Sequence, residues 1–241
     1  MEPRSQATTG KKEQVRSMFD NIASRYDLLN SLLSLGIYKH WRRRLVEATR
    51  PLPDNAKILD VATGTGDIAI ALAKLNPASV VGIDISERML ELGKKKVKDL
   101  GYDQRVSLQP GDAEDIRFPD NEFDAATVAY GVRNFENLEK GLREMLRVLK
   151  PGGKLVILEF MKPRNTLFAG LFRFYFTQVL PRIGGAVSAN KQAYSYLPES
   201  VESFPQGTAL VKIIEQQGFA QAQCKELTNG VVGLYTACKP V

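Results

Sequence analysis

Three acidic side chains, Asp60, Asp84 and Asp112, are placed where a nucleoside could be recognised. Asp60 opens the run Asp60-Val61-Ala62-Thr63-Gly64-Thr65-Gly66-Asp67, between an apolar strand-like segment and a helical one. Glycines there let the backbone turn sharply and approach a ligand closely. The N–H groups that open the following helix then face an anionic or carboxylate group. A dinucleotide fingerprint has the form Gly-x-Gly-x-x-Gly; here Ala69 fills the last position, which the looser form allows. No Gly-Lys-Ser/Thr follows, so a P-loop is excluded. Asp84 ends the next strand-like segment, where a carboxylate can accept both hydroxyls of a ribose. Asp112, in Gly111-Asp112-Ala113, can accept from an adenine amino group. Each of the three also suits a turn or a cap. Three at successive strand ends lie together on the carboxyl edge of one sheet, where open α/β sheets bind ligands.

The elements that would position them alternate. Strand-like segments fall at Lys57–Ala62, Ser79–Asp84, Arg105–Gln109, Phe123–Tyr130 and Leu155–Leu158. Helical segments fall between them, at Ile68–Leu75, from an N-cap at Ser86 to Leu100, and at Leu138–Leu149 before Pro151-Gly152-Gly153. Met89, Gly93, Val97 and Leu100 share one face of the second helix. Such alternation predicts βαβ units and a parallel sheet covered on both faces. Residues 1–12 read as a flexible tail, and 13–50 as helical with a break near Leu35-Gly36. Asn165–Leu180 reads as a mostly apolar helix, destined for the core, a subunit interface or a membrane-facing lid. Gly184–Pro205 reads as a loop, Thr208–Gln217 as a helix, and Ala220–Leu227 with Val231–Lys239 as strands joined at Thr228-Asn229-Gly230. Residues 13–241 are expected to form a single domain: a helical cap at 13–50, a core at 57–160, an inserted lid at 161–206, and a helix and hairpin at 207–241.

Composition narrows the chemistry. The 241 residues are 44% hydrophobic and 25% charged, an ordinary globular balance. No apolar run approaches the ~20 residues needed to span a bilayer, and Met1–Gln14 lacks the apolar stretch of a secretory signal. Two cysteines exclude a multi-cysteine zinc or iron–sulfur site, one histidine leaves little for a His-based one, and so few thiols suit a reducing, cytoplasmic setting. The net charge is +6, and the first fifty residues hold most of the excess, ten basic against five acidic. A basic segment of this kind suits an anionic membrane surface, nucleic acid or an acidic substrate, or is a solvated face.

The run from Asp60 to Asp67, with Asp84, Asp112 and Arg147-Val148-Leu149-Lys150-Pro151-Gly152-Gly153, resembles class I S-adenosylmethionine-dependent methyltransferases. Further segments resemble the UbiE/Coq5 quinone C-methyltransferases in particular. These are Tyr26-Asp27-Leu28-Leu29-Asn30, Ser34-Leu35-Gly36, Trp41-Arg42, Tyr130-Gly131-Val132-Arg133-Asn134, Leu158-Glu159-Phe160 and Tyr194-Ser195-Tyr196-Leu197-Pro198-Glu199-Ser200. The likeness covers about residues 13–240, with one departure, His40 directly before Trp41.

The resemblance implies an α/β fold with a Rossmann-like seven-stranded sheet, its last strand antiparallel. It implies S-adenosylmethionine as cofactor, held by Asp60, Thr63, Gly64, Thr65, Gly66, Asp84, Ile85, Asp112, Ala113, Ala129 and Tyr130. It implies methyl transfer to a ring carbon of a reduced quinone. The Tyr194–Val201 segment with Phe204-Pro205 points to prenylated demethylmenaquinol, and a ubiquinol precursor is the alternative. An aromatic carbon becomes nucleophilic when the adjacent phenol loses its proton, so a base or a cation is needed. Arg133 is the leading candidate, with Asn134 orienting the hydroxyl and Asp27 as a proton acceptor; a structural ion pair and a helix cap are the plainer roles for Arg133 and Asp27. Tyr26, Tyr194 and Tyr196 would meet the substrate ring. The expected partners are that quinol and, transiently, the inner face of the membrane, with a homodimer left open and no nucleic acid. Two other classes stay in view: an NAD(P)-dependent oxidoreductase, and a non-catalytic nucleotide- or RNA-binding module.

Overall fold

The computed structural model describes residues 10–33, 36–163 and 191–241, with the backbone alone for 28–33 and 191–195. The helix expected at Asn165–Leu180 and the Ser34-Leu35 pair lie outside the described residues. The chain opens with α1 (Lys11–Leu33) and α2 (Tyr38–Ala48). It continues with β1 (Lys57–Val61), α3 (Asp67–Ala73), β2 (Ser79–Asp84), α4 (Glu87–Asp99), β3 (Val106–Pro110) and β4 (Phe123–Ala129). A 3-10 turn at Val132–Asn134 leads to α5 (Leu138–Val148) and β5 (Leu149–Phe160). After the gap come α6 (Lys191–Ser203), α7 (Thr208–Gln216), β6 (Ala220–Leu227) and β7 (Val232–Cys238).

The seven strands form one sheet in the order β3-β2-β1-β4-β5-β7-β6. The first five are parallel, and β7 is antiparallel to both β5 and β6. Side chains alternate between two apolar layers, as the pleat requires. Ile58, Ala125, Val156 and Leu158 pack under α2, α3 and α4 with Leu45, Leu72 and Leu90. Leu59, Ala126, Leu155 and Ile157 pack under α5 and α7 with Leu142, Met145 and Leu210. This two-sided burial explains the near-continuous apolar character of β4 and β5. Strand order reverses beside β1, so the carboxyl ends of β1 and β4 flank a crevice, the usual ligand position in such sheets.

Four expectations are corrected. The segment read as a tail to residue 12 is already helical at Lys11. Residues 191–203 form a helix rather than a loop, with Pro198 inside it. Proline there removes a backbone donor and crowds the preceding turn, but packing against α1 and the Val132–Asn134 turn carries the helix. Leu100, placed on the apolar face of α4, caps that helix and is exposed. Pro151–Gly153 does not simply end α5. The helix stops at Val148, and β5 leaves the ladder over these residues before rejoining it at Lys154. Gly152 takes φ +75, a conformation glycine adopts without strain. Its N–H bonds the Lys239 carbonyl at 2.9 Å, tying the turn to the C-terminal strand.

Candidate functional site

The turn after β1 is built from below by Asp60. Its buried carboxylate accepts from the Thr63 hydroxyl at 2.6 Å and the Thr127 hydroxyl at 2.7 Å. Burial is the main influence on this carboxyl and pushes it up to about 7, against the two hydroxyl hydrogen bonds. Asp60 and Thr63 therefore hold the turn and do not line the cleft beside it. The sign of the pH effect follows. The fold favours the protonated form, so the cost of ionisation is absent near pH 4, grows toward pH 7 and is constant above. Wild type is expected to lose ground to Asp60→Asn by about 2–4 kcal/mol between pH 4 and 8. Paired thermal melts across that range check it, and a constant difference would refute it.

The cleft is lined by Gly64, Asp84, Ile85, Asp112, Ala113, Ala129, Tyr130, Asn134 and Tyr26, all expected as site residues. Asp84 receives the Gly64 N–H and the Ser86 N–H, both at 2.8 Å. These bonds fix the turn against the end of β2, and the carboxylate keeps further lone pairs for a diol. Burial raises its pKa, opposed by the two backbone N–H groups. Asp112 accepts from the Glu114 N–H at 2.9 Å and from Lys12 Nζ at 2.6 Å. Thr65 and Gly66 sit behind the turn; Gly66 takes φ +78 as the N-cap of α3.

Helix α1 lies across this cleft and is tied down along its length. Lys12 meets Asp112, Lys11 Nζ donates to the carbonyls of Arg133 and Phe135, and Asp20 accepts from Ser86 Oγ at 2.6 Å. Asp27 accepts from Thr65 Oγ1 at 2.7 Å and pairs with Lys96, which also holds Asp67. Asp27 is thus engaged with the base of α3 and α4 and is not among the residues lining the cleft. Under α1 the cavity measures about 80 Å³, whereas sites for molecules the size of a cofactor run to roughly 300–1,000 Å³. The room under α1 is therefore small for such a molecule in this conformation.

At the far end, two segments that are separate in sequence meet. Arg133 Nη1 donates to Glu159 Oε1 and to the Tyr130 carbonyl, both at 2.6 Å. The two side chains are 7% and 1% exposed. Burial raises the Glu159 pKa, and the Arg133 guanidinium opposes it. Asn134 Oδ1 accepts from the Tyr196 hydroxyl at 2.9 Å, which brings α6 to this end. Tyr130, Phe160 and Trp41 form an aromatic wall, and Trp41 Nε1 donates to Thr228 Oγ1 at 2.7 Å. The side chain of Tyr194 lies outside the described residues. Two buried side-chain atoms among the described residues find no hydrogen-bond partner: Tyr130 Oη and Arg133 Nε.

Lys11, Lys12, Lys96 and the Glu159 partnership were not found from sequence. Only the position of Glu159 at the end of an apolar strand marked it, because a carboxylate there must be paired. The Arg147–Gly153 segment is structural: Arg147 binds Glu144, Asp120 and the carbonyls of Ile116 and Phe118. No cluster of metal-ligating side chains occurs among the described residues.

The model of the ubiE/COQ5 methyltransferase family matches residues 7–239. A protein of Bacteroides fragilis named demethylmenaquinone methyltransferase is 48% identical over 230 residues, 95% of this chain and 94% of that one. A protein of Geotalea daltonii named ubiquinone/menaquinone biosynthesis C-methyltransferase UbiE is 48% identical over 233 residues, 96% of this chain and 98% of that one. Among solved structures, a phosphoethanolamine N-methyltransferase 2 of Haemonchus contortus aligns with TM-score 0.71 at 16% identity. It covers 98% of this chain and 61% of that one. At that identity the likeness speaks for the fold alone.

Proposed function

Because this chain belongs to the ubiE/COQ5 methyltransferase family, we propose that it methylates a ring carbon of prenylated demethylmenaquinol, giving menaquinol, with S-adenosylmethionine as donor. The observation that carries the reading is a cleft that presents Asp84 and Asp112 at one end and Tyr130 and Asn134 at the other, where Arg133, Glu159 and Tyr196 pack directly behind its wall. The donor, when bound, supplies a methyl group already activated on a sulfonium. The chain has then to align the reactants, exclude water and stabilise the phenolate. Asp84 takes the ribose and Asp112 the adenine amino group, once Lys12 releases it. Gly64, Ile85, Ala113 and Ala129 shape the walls, above the turn that Asp60, Thr63, Thr65 and Gly66 support. Arg133, buried behind this wall with an unpartnered Nε, supplies the positive charge that stabilises the phenolate, and Asn134, held by Tyr196, orients the hydroxyl. Tyr26 closes the ring pocket. Asp27, bound to Lys96 and Thr65, holds α1 and is not the proton acceptor in this reading; the quinol enters as its phenolate, having lost that proton to bulk water, and the ring proton that the methyl group displaces returns to the phenolate oxygen.

The substrate tail belongs to a bilayer, so the chain would work at the inner membrane face. No helix among the described residues is long and apolar enough to cross a membrane. Lys39, Arg43 and Ile37 are exposed on and beside α2, whereas Arg42 is paired with Asp67 and Arg44 with Glu47. Each exposed cation contributes about 1 kcal/mol of attraction near anionic lipid. The test is turnover of vesicle-borne quinols with labelled S-adenosylmethionine. The demethylated naphthoquinol should become one methyl heavier, faster in anionic than in zwitterionic vesicles, with the advantage lost in salt. Methylation of the ubiquinol precursor alone would refute the substrate. Equal rates in both vesicles would refute the membrane contact.

A further inference from the structure

The Tyr130 hydroxyl is the polar group for which the reading above has no use. It is buried and unpartnered among the described residues, although Tyr130 lines the cleft. Its ring packs against two others. The ring is stacked at a tilt on Phe160, centroids 4.6 Å apart, and meets Trp41 edgewise at 6.5 Å. The backbone is held as firmly. Tyr130 N–H donates to the Leu158 carbonyl at 2.7 Å, and its own carbonyl accepts from Arg133. The residue takes φ +58, where a non-glycine residue is strained. Strain and an unmet buried hydroxyl both oppose folding, and together they mark a group aimed at something else.

We propose that the Tyr130 hydroxyl is a substrate-binding donor that hydrogen-bonds one oxygen of the quinol ring. The inference rests on the quinol reading above and deepens it. Arg133 also lies against Phe160, with Cζ 5.6 Å from the ring centroid. The two unpartnered donors thus share one aromatic wall, and a 1,4-quinol offers two oxygens. A two-point hold keeps the ring from rotating out of line with the transferring methyl group, which a single donor does not. Burial beside Glu159 keeps the Tyr130 phenol protonated, so it gives a hydrogen and cannot compete with the substrate as the ionised group.

Tyr130→Phe tests this, because the ring, its stacking and the backbone stay. The quantities read are turnover of a short-tailed demethylmenaquinol, the Kd for S-adenosylmethionine, the melting temperature, and 1,4-naphthoquinone binding followed by Trp41, the single tryptophan. We expect kcat/KM to fall at least tenfold, cofactor Kd to stay within twofold, and the melting temperature to hold or rise. Naphthoquinone binding should weaken. A smaller fall in kcat/KM overturns the proposal. So does a tenfold fall accompanied by a lower melting temperature or weaker cofactor binding, since the hydroxyl would then serve the fold or the cofactor. If wild type does not methylate the naphthoquinol, the functional reading fails. Naphthoquinone binding then decides alone, weaker in the variant in support and equal against.

Discussion

Arg133→Ala should lower kcat about 100-fold or more, the scale of a lost donor to a developing oxyanion. It should also destabilise the fold by about 3–5 kcal/mol, because it leaves Glu159 buried without its cation. The two effects have to be separated before either is read. Glu159 has its pKa raised by burial, and removing Arg133 takes away the guanidinium that opposes this. The variant can relieve the uncompensated charge by taking up a proton. Its deficit relative to wild type should therefore be smaller at pH 5 than at pH 8. The double variant Arg133→Leu with Glu159→Leu removes both charges and should recover most of the stability, as apolar replacements of buried pairs do. Turnover should not return with it. Cofactor affinity should barely move in the double variant, since Arg133 stands at the other end of the cleft from Asp84. Recovery of kcat within a few-fold in the double variant would show that Arg133 is structural and that another group meets the phenolate.

Why the ion pair escaped sequence reading is a matter of range. Ser86 was legible as an N-cap because its bond to the Met89 N–H is local, and local preference and global fold agree there. The β1 and β2 segments, with Asp60 and Asp84 at their ends, were legible because a strand buried on both faces shows in its own residues. Arg133 and Glu159 each stood out separately, but nothing in one names the other. The fold joins them by pairing β4 with β5 and turning the chain at Tyr130. Lys11 and Lys12 carried still less signal, since two lysines before a helix usually meet water. Here they reach the carbonyls of Arg133 and Phe135 and the carboxylate of Asp112 only because α1 crosses the cleft. Helix α6 was hidden by Pro198 for the opposite reason: a local rule was outweighed by packing that only the tertiary structure supplies. The parts of the site set by strand ends were readable. The parts supplied by the helix that covers it were not.

Asp84→Ala should weaken S-adenosylmethionine binding by about 30- to 150-fold, or 2–3 kcal/mol, while the protein folds normally. The affinity term comes from losing an ionised acceptor for two ribose hydroxyls, and charge-assisted bonds of this kind are roughly twice as strong as neutral ones. Stability should change little because two effects oppose each other. The variant loses the bonds from the Gly64 and Ser86 N–H groups. It also sheds a carboxylate whose ionised form burial disfavours. Gly64 takes φ +55 without help from a side chain, so the turn can keep its shape when that tether goes. The variant also distinguishes cofactor binding from chemistry. At saturating cofactor its kcat should approach that of wild type, the reverse of what is expected for Arg133. Calorimetric titration with S-adenosylmethionine, paired with a thermal melt, reads both quantities. Unchanged affinity in a folded Asp84→Ala protein would remove Asp84 from the cofactor site, and the carboxyl edge of β2 would then need another role.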